Sequence, residues 1–280
     1  MSDQNIVRAT GLLVIEAINS NPNGDPDRES DPRQRPDGKG EISPVSFKRK
    51  LRDLVEDKEG PVWQALASKL ELASDEFGIL ESRKSTLKEI RDLTEKEFIS
   101  KYWDGRVFGN TELEKGRKVP VKTGVVQFGL GVSIAPIRIE RMTTTNPPVE
   151  ADKSVGMAPL GYRIVEHGVY CMPFFVNPSA AHKSGCTTKD IKLLLALIPH
   201  AYAHSRSYVR PNVEILHAWF IEHKSPLGSC QDYKLIDALT PQKKQDTDKP
   251  SMSRDEYDIP TSLPEDLKNK IASAKDIMES

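Results

Sequence analysis

Apolar positions along the chain fall into a few runs separated by turn-rich stretches, and the period of each run predicts an element. Gly11 to Ile18 (GLLVIEAI) is a continuous apolar run of strand length containing β-branched Val14, Ile15 and Ile18, which predicts a buried first strand. It ends in Asn19-Ser20-Asn21-Pro22-Asn23-Gly24-Asp25-Pro26-Asp27, where Pro, Gly, Asn and Asp favour consecutive turns, and a polar loop follows to Gly40. Ser43-Pro44 is a helix start, a capping residue followed by Pro at the first helical position. Phe47, Leu51, Leu54 and Val55 then recur at helical spacing, so this stripe should pack on a sheet while Arg49 and Arg52 project on the opposite side and Lys48 lies on the flank.

From Gly60 to Tyr102 the pattern is helical but weakly amphipathic, with Trp63, Leu66, Leu70 and Leu72 before a charged stretch, and reads as an insertion. Trp103 to Asn110 predicts another turn-rich loop. Val121 to Ile139 largely alternates as a strand should, and Arg141 to Gly161 then loses periodicity in a Thr-, Pro- and Gly-rich arm. Tyr162 to Val176 resumes strand composition. Thr187-Thr188 can cap a helix through Ser205 that Pro199 should kink or shorten, and Asn212 to His223 closes the core as a last strand. The order strand, helix, strand, strand, helix, strand is that of the ferredoxin-like split unit shared by RNA-recognition modules, so the fold class is α+β. Thr240 to Pro264 reads as a solvated linker before a short amphipathic terminal helix with Leu267, Ile271 and Ile277.

Composition narrows the class. With 280 residues, 37% hydrophobic and 29% charged, the chain suits a soluble protein with one large domain or a domain with sizeable insertions. No run approaches the ~18 apolar residues of a membrane span. The N-terminus lacks the order of a signal peptide, which places the protein in the cytoplasm as an expectation. Cys171, Cys186 and Cys230 are far apart and not spaced like a zinc site, so they read as reduced thiols. The net charge of −1 argues on its face against nucleic acid, but its distribution reverses that. Arg28 to Arg52 holds eight basic residues against four acidic, whereas Asp232 to Ser280 holds eight basic against eleven acidic.

Candidate chemistry is sparse. His200 and His204 lie four apart, but no Cys or carboxylate stands at matching spacing, so neither a metal nor any cofactor is expected. The aromatic pattern on which RNA-recognition sheets stack bases is missing, since Gly124 to Ser133 offers only Phe128. Nucleic acid should therefore engage helix, loops and arm rather than the sheet. A competing reading is a metal-dependent ribonuclease using Asp25 and Asp27. Two-metal hydrolysis needs several converging carboxylates, and no third acid or general base is evident beside Pro22 and Pro26.

The loop Asn19 to Asp27, followed by Phe47-Lys48-Arg49-Lys50-Leu51-Arg52, resembles the Cas-seven backbone subunits of type I CRISPR effector complexes of the I-C and I-B branch. The Asp104 to Gly109 loop, Arg141-Met142-Thr143, Arg206-Ser207 and His223 to Gly228 occur in that family's order, and the resemblance covers roughly residues 8 to 230. It implies an RNA-recognition-type palm over 1–230, with a finger-like insertion at 60–120 and a thumb-like arm at 141–161, followed by an acidic C-terminal extension at 231–280. It implies a non-catalytic Cascade subunit that polymerises with copies of itself along guide crRNA beside other Cascade subunits and presents bases to a target DNA strand. Lys48, Arg49 and Arg52 are then candidate phosphate contacts, with Arg106, Arg141, Thr143 and Arg206. Asn21, Asn23 and Gly24 would form a loop whose backbone amides approach phosphate, and Met142 an exposed wedge between bases.

Overall fold

In the computed structural model, which describes residues 6–82, 93–110, 122–146 and 158–279, β1 (Ala9–Ser20) runs through the middle of an antiparallel sheet. The other strands are β2 (Lys39–Ile42), β3 (Val126–Phe128), β4 (Gly131–Pro136), β5 (Ile139–Asn146), β6 (Ala158–Val176), β7 (Val213–His223) and β8 (Ile271–Asp276). The order across the sheet is β8-β7-β1-β6-β4-β2, with β3 and β5 also pairing along the long β6. β1 is hydrogen-bonded on both edges and buried on both faces. Leu13, Ile15 and Ala17 enter one core, and Leu12 and Val14 enter the other. Burial on both faces is why its sequence is a continuous apolar run rather than an alternating one.

Helices α1 (Pro44–Glu56), α2 (Pro61–Leu70) and α5 (Thr188–Leu197) cover the first face, while α3 (Glu95–Lys101) and α4 (Trp103–Phe108) lie in the insertion between them. The Ser43 hydroxyl accepts the Ser46 amide, and Pro44 occupies the first turn as its spacing predicts. Phe47, Leu51 and Val55 are fully buried on the predicted stripe. Thr187 and Asp190 form a capping box at the start of α5, whose α-helical turns stop at Leu197, two residues before Pro199.

Three sequence expectations are corrected. Residues 103–110 are not a loop, because the short helix α4 is buried along its whole length and Trp103 packs edge-on against Phe108 at 5.5 Å. The base of the arm is not without structure, because β5 and β6 pair in continuous register from Val165↔Ile139 to Ala158↔Asn146. The remainder of the arm, 147–157, lies outside the described residues, as do 83–92 and 111–121 of the insertion. The third correction concerns the C-terminal extension, which is not a solvated linker and whose terminal helix spans only Glu265–Lys268 before a strand begins at Ile271. Helix α6 (Asp232–Leu239) and the segment after it lay Leu235, Leu239, Tyr257, Leu263 and Leu267 on the second face of the sheet. Ile271–Asp276 then pairs with the free edge of β7, where the Ser273 hydroxyl donates to Glu222 at 2.6 Å. An unpaired strand edge satisfies its backbone groups best with another strand, which outweighs the weak helical spacing that would carry the helix on from Leu267 through Ile271 to Ile277. No helix among the described residues is long and apolar enough to cross a membrane.

Candidate nucleic-acid interface

The Asn-Pro-Asn-Gly loop is built by its own side chains. Asn21 Nδ2 donates to the Ser30 carbonyl at 2.8 Å, and the Asn21 amide donates to the Val209 carbonyl at 2.7 Å. Asn23 Oδ1 accepts the Ser43 amide at 2.7 Å, so the loop also fixes the entry to α1. Gly24 lies so close to Ser30 that an added Cβ would stand 3.0 Å from its carbonyl oxygen. Asn21 and Asn23 are buried. Their side chains shape the loop rather than facing outward, although Asn21 Oδ1 has no partner among the described residues. Asp25 caps the turn at Pro26–Arg28 by accepting the Asp27 amide and lies 3.8 Å from Arg33, while Asp27 is exposed. No group of three His, Cys, Asp or Glu among the described residues could hold a metal ion.

The basic face of α1 is not uniform. Lys48 is half-buried, with its amine 5.4 Å from the Phe108 ring centre, and burial followed by the neighbouring Arg52 cation lowers its pKa. Arg49 donates to Asp53 at 2.8 Å, to Glu56 at 3.1 Å and to the Glu81 carbonyl. Arg52 does not project into solvent as its spacing predicts. Its side chain is 3% exposed, with Nε 2.9 Å from Asp104 and NH1 3.0 Å from Glu81. Arg106 is likewise interior, donating to both oxygens of Asp190 and to the carbonyls of Ile99, Ser100 and Glu76. These two arginines fasten the insertion to α1 and α5. Arg52 and Arg106, nearly inaccessible and paired with buried carboxylates, could reach a phosphate only by breaking a buried ion pair, whereas the Arg49 pairs with Asp53 and Glu56 lie partly at the surface.

The exposed candidates gather at one end of the sheet. Arg141, Met142 and Thr143 of β5 are exposed, and the register sets Met142 opposite Tyr162. Tyr162 packs edge-on against Tyr208 at 5.0 Å, and Tyr208 is itself 61% exposed. One step along the same ladder, Arg141 lies opposite Arg163, which forms an ion pair with Asp31, the residue that pairs with Asp25 of the Asn-rich loop. Arg210 Nε donates to the Asn21 carbonyl at 2.8 Å, tying the segment after α5 to that loop, and Arg206 pairs at the surface with Glu214. The loop, the β5–β6 ribbon and the 205–210 turn therefore meet, although more than 180 residues separate Asn21 from Arg210 in sequence. Tyr162, Arg163, Tyr208 and Arg210 were not among the sequence candidates. The signal for Tyr162 lay in strand alternation opposite Met142, whereas nothing local marked Tyr208.

Lys48, Arg49 and the Met142–Tyr162–Tyr208 cluster thus offer cations and apolar or aromatic surface at the exterior. Apolar and aromatic groups of this kind suit unstacked bases, and partly exposed cations suit phosphates. No curated protein matches the chain in sequence. Among solved structures, a chain of a CRISPR RNA-guided surveillance complex, pre-nicking, is 13% identical, with 76% of this chain and 77% of that one covered and a TM-score of 0.46. A chain of another CRISPR RNA-guided surveillance complex is 14% identical, with coverage of 82% and 75% and a TM-score of 0.39. The family model of the CRISPR-associated protein Cas7 matches residues 7–262, nearly the whole sheet, its helices and most of the C-terminal segment, and the chain belongs to that family.

Proposed function

We propose that this protein is the repeating backbone subunit of a type I CRISPR Cascade complex of the I-C/I-B kind, a non-catalytic protein that polymerises along guide crRNA in the cytoplasm. Membership of the Cas7 family over residues 7–262 carries the reading. In it, β1, α1, β4, β6, α5 and β7 are the ferredoxin-like palm, since their order across the sheet is β7-β1-β6-β4, with two helices on one face. The 60–120 region is the finger, and the β5–β6 ribbon is the root of the thumb. Because the C-terminal segment covers the second sheet face, RNA is held from the edges of the palm. Lys48 and Arg49 supply phosphate contacts that are indifferent to sequence, and Arg141, Thr143 and Arg206 surround the aromatic cluster where bases unstack. Base identity is then read by guide pairing with the target DNA strand rather than by side chains. Copies of the chain and other Cascade subunits complete the assembly.

The cleaving alternative would need Asp25 free to act, whereas Asp25 caps its own turn by accepting the Asp27 amide. A fluorescence-anisotropy titration with labelled single-stranded RNA at 50 and 200 mM salt tests the reading. Affinity should fall steeply with salt, and Lys48→Glu should flatten the slope of log K against log salt by about 0.7. The probe should stay intact with Mg²⁺ or Mn²⁺ present. A salt-independent affinity, or a metal-dependent shortening of the probe, would overturn it.

A further inference from the structure

Four basic side chains among the described residues are buried: Lys50, Arg52, Arg106 and Lys243. Three are matched. Arg52 faces Asp104, Arg106 faces Asp190, and Lys243 lies 3.6 Å from Glu256 while donating to the carbonyls of Asp246 and Lys249. Lys50 has no ion pair or hydrogen bond of its side chain among the described residues. Its ammonium lies 5.2 Å from the centre of the Tyr202 ring, and the carboxylate one turn along α1, Asp53, is taken by Arg49 at 2.8 Å. A buried cation without an anion is costly, so the site must either bind something or lose the proton.

The surroundings favour losing the proton. Lys50 lines a cavity of about 310 Å³ between α1, the start of α2 and the turn after α5, walled by Leu54, Val62 and Trp63 and edged by Asp53, Asp57 and His204. The two carboxylates at the rim oppose an anionic ligand. Burial and, after it, the Arg210 cation lower the Lys50 pKa to about 8 against the opposing pull of Asp53. At pH 7.5 about a quarter of such amines are free base, against about a thousandth of ordinary lysines.

We propose that Lys50 is a site of covalent acylation, accepting short acyl groups from small uncharged thioesters that enter this cavity. The amine lone pair attacks the acyl carbon, the C–N bond forms, and the C–S bond breaks with its electron pair leaving on the thiolate. The released amine proton passes to solvent at the mouth. The amide product is neutral and suits a buried position better than an ammonium does.

Lys58 is a control within the same molecule, because burial lowers its pKa to about 8 as well, yet its amine donates to the Phe77 carbonyl at 2.8 Å and does not line the cavity. The full chain is incubated with N,S-diacetylcysteamine between pH 6.5 and 9.5, and acetylation of Lys50, Lys58 and exposed Lys69 is followed by peptide mass spectrometry. At pH 7.5 Lys50 should react about ten-fold or more faster than either of the others, with a rate that levels off above about pH 9. A Lys50 rate no higher than that of Lys69 would overturn the proposal, as would a rate still climbing in proportion to hydroxide at pH 9.5. A Lys58 rate equal to that of Lys50 would also overturn it, since burial alone and not the cavity would then set reactivity.

Discussion

At the scale of single residues, the arginines that composition groups together divide by partner. Asp104 is 1% exposed and accepts Arg52 Nε at 2.9 Å and the Leu80 amide at 2.7 Å. Arg52→Met leaves that carboxylate buried without its cation, and should lower stability by about 3–5 kcal/mol. Arg206→Ala removes only a surface pair and should stay within about 0.5 kcal/mol. Urea unfolding midpoints compare the two directly. Tyr208→Ala should leave the midpoint unchanged yet weaken single-stranded RNA binding by about 1–3 kcal/mol, the worth of one stacked base. Titration adds a further prediction at His223, where desolvation outweighs Asp232 and depresses the pKa. Its Nδ1 accepts the Ser229 amide at 3.1 Å, a bond that only the neutral ring can accept. In the unfolded chain the ring takes up a proton near pH 6.5, before the folded protein does, so stability falls as pH drops below about 6.5. The melting temperature should therefore decline from pH 7.5 to 5.5, and less steeply in His223→Asn. Equal slopes in the two proteins would assign the decline to other groups.

At the scale of elements, the C-terminal segment behaves as part of the core. It closes the second sheet face over Leu12, Val14, Val169, Trp219 and Ile221, and β8 covers the edge of β7. Ending the chain at residue 231 should expose those side chains, so the truncated protein should bind the dye ANS and lose its cooperative melt; a sharp transition near the full-length temperature would show the segment to be dispensable. This region was the least legible in sequence. Ile271–Asp276 carries little apolar periodicity, and only a distant strand edge makes it a strand. The elements that were legible announce themselves locally, namely the doubly buried run of β1, the Ser43-Pro44 entry to α1 and the end of α5 before Pro199. The orientation of Arg52 and Arg106 was not, because their acids stand 52 and 84 residues away. The same limit hid Tyr208, whose packing against Tyr162 depends on the whole sheet being formed.

At the scale of the molecule, one sheet is covered on both faces, by α1, α2 and α5 on one side and by the C-terminal segment on the other. Among the described residues, what stays open is the end where the Asn-rich loop, the β5–β6 ribbon and the turn carrying Tyr208 meet, together with the Lys48 side of α1. Such an arrangement suits a subunit that touches RNA along its margin and leaves its flanks to the next copy. Native mass spectrometry of the protein mixed with single-stranded RNAs of increasing length tests this most directly. The account predicts discrete complexes whose number of protein copies per RNA rises stepwise with RNA length, while the protein without RNA forms no such series. One copy per RNA at every length, or no complex at all, would contradict it.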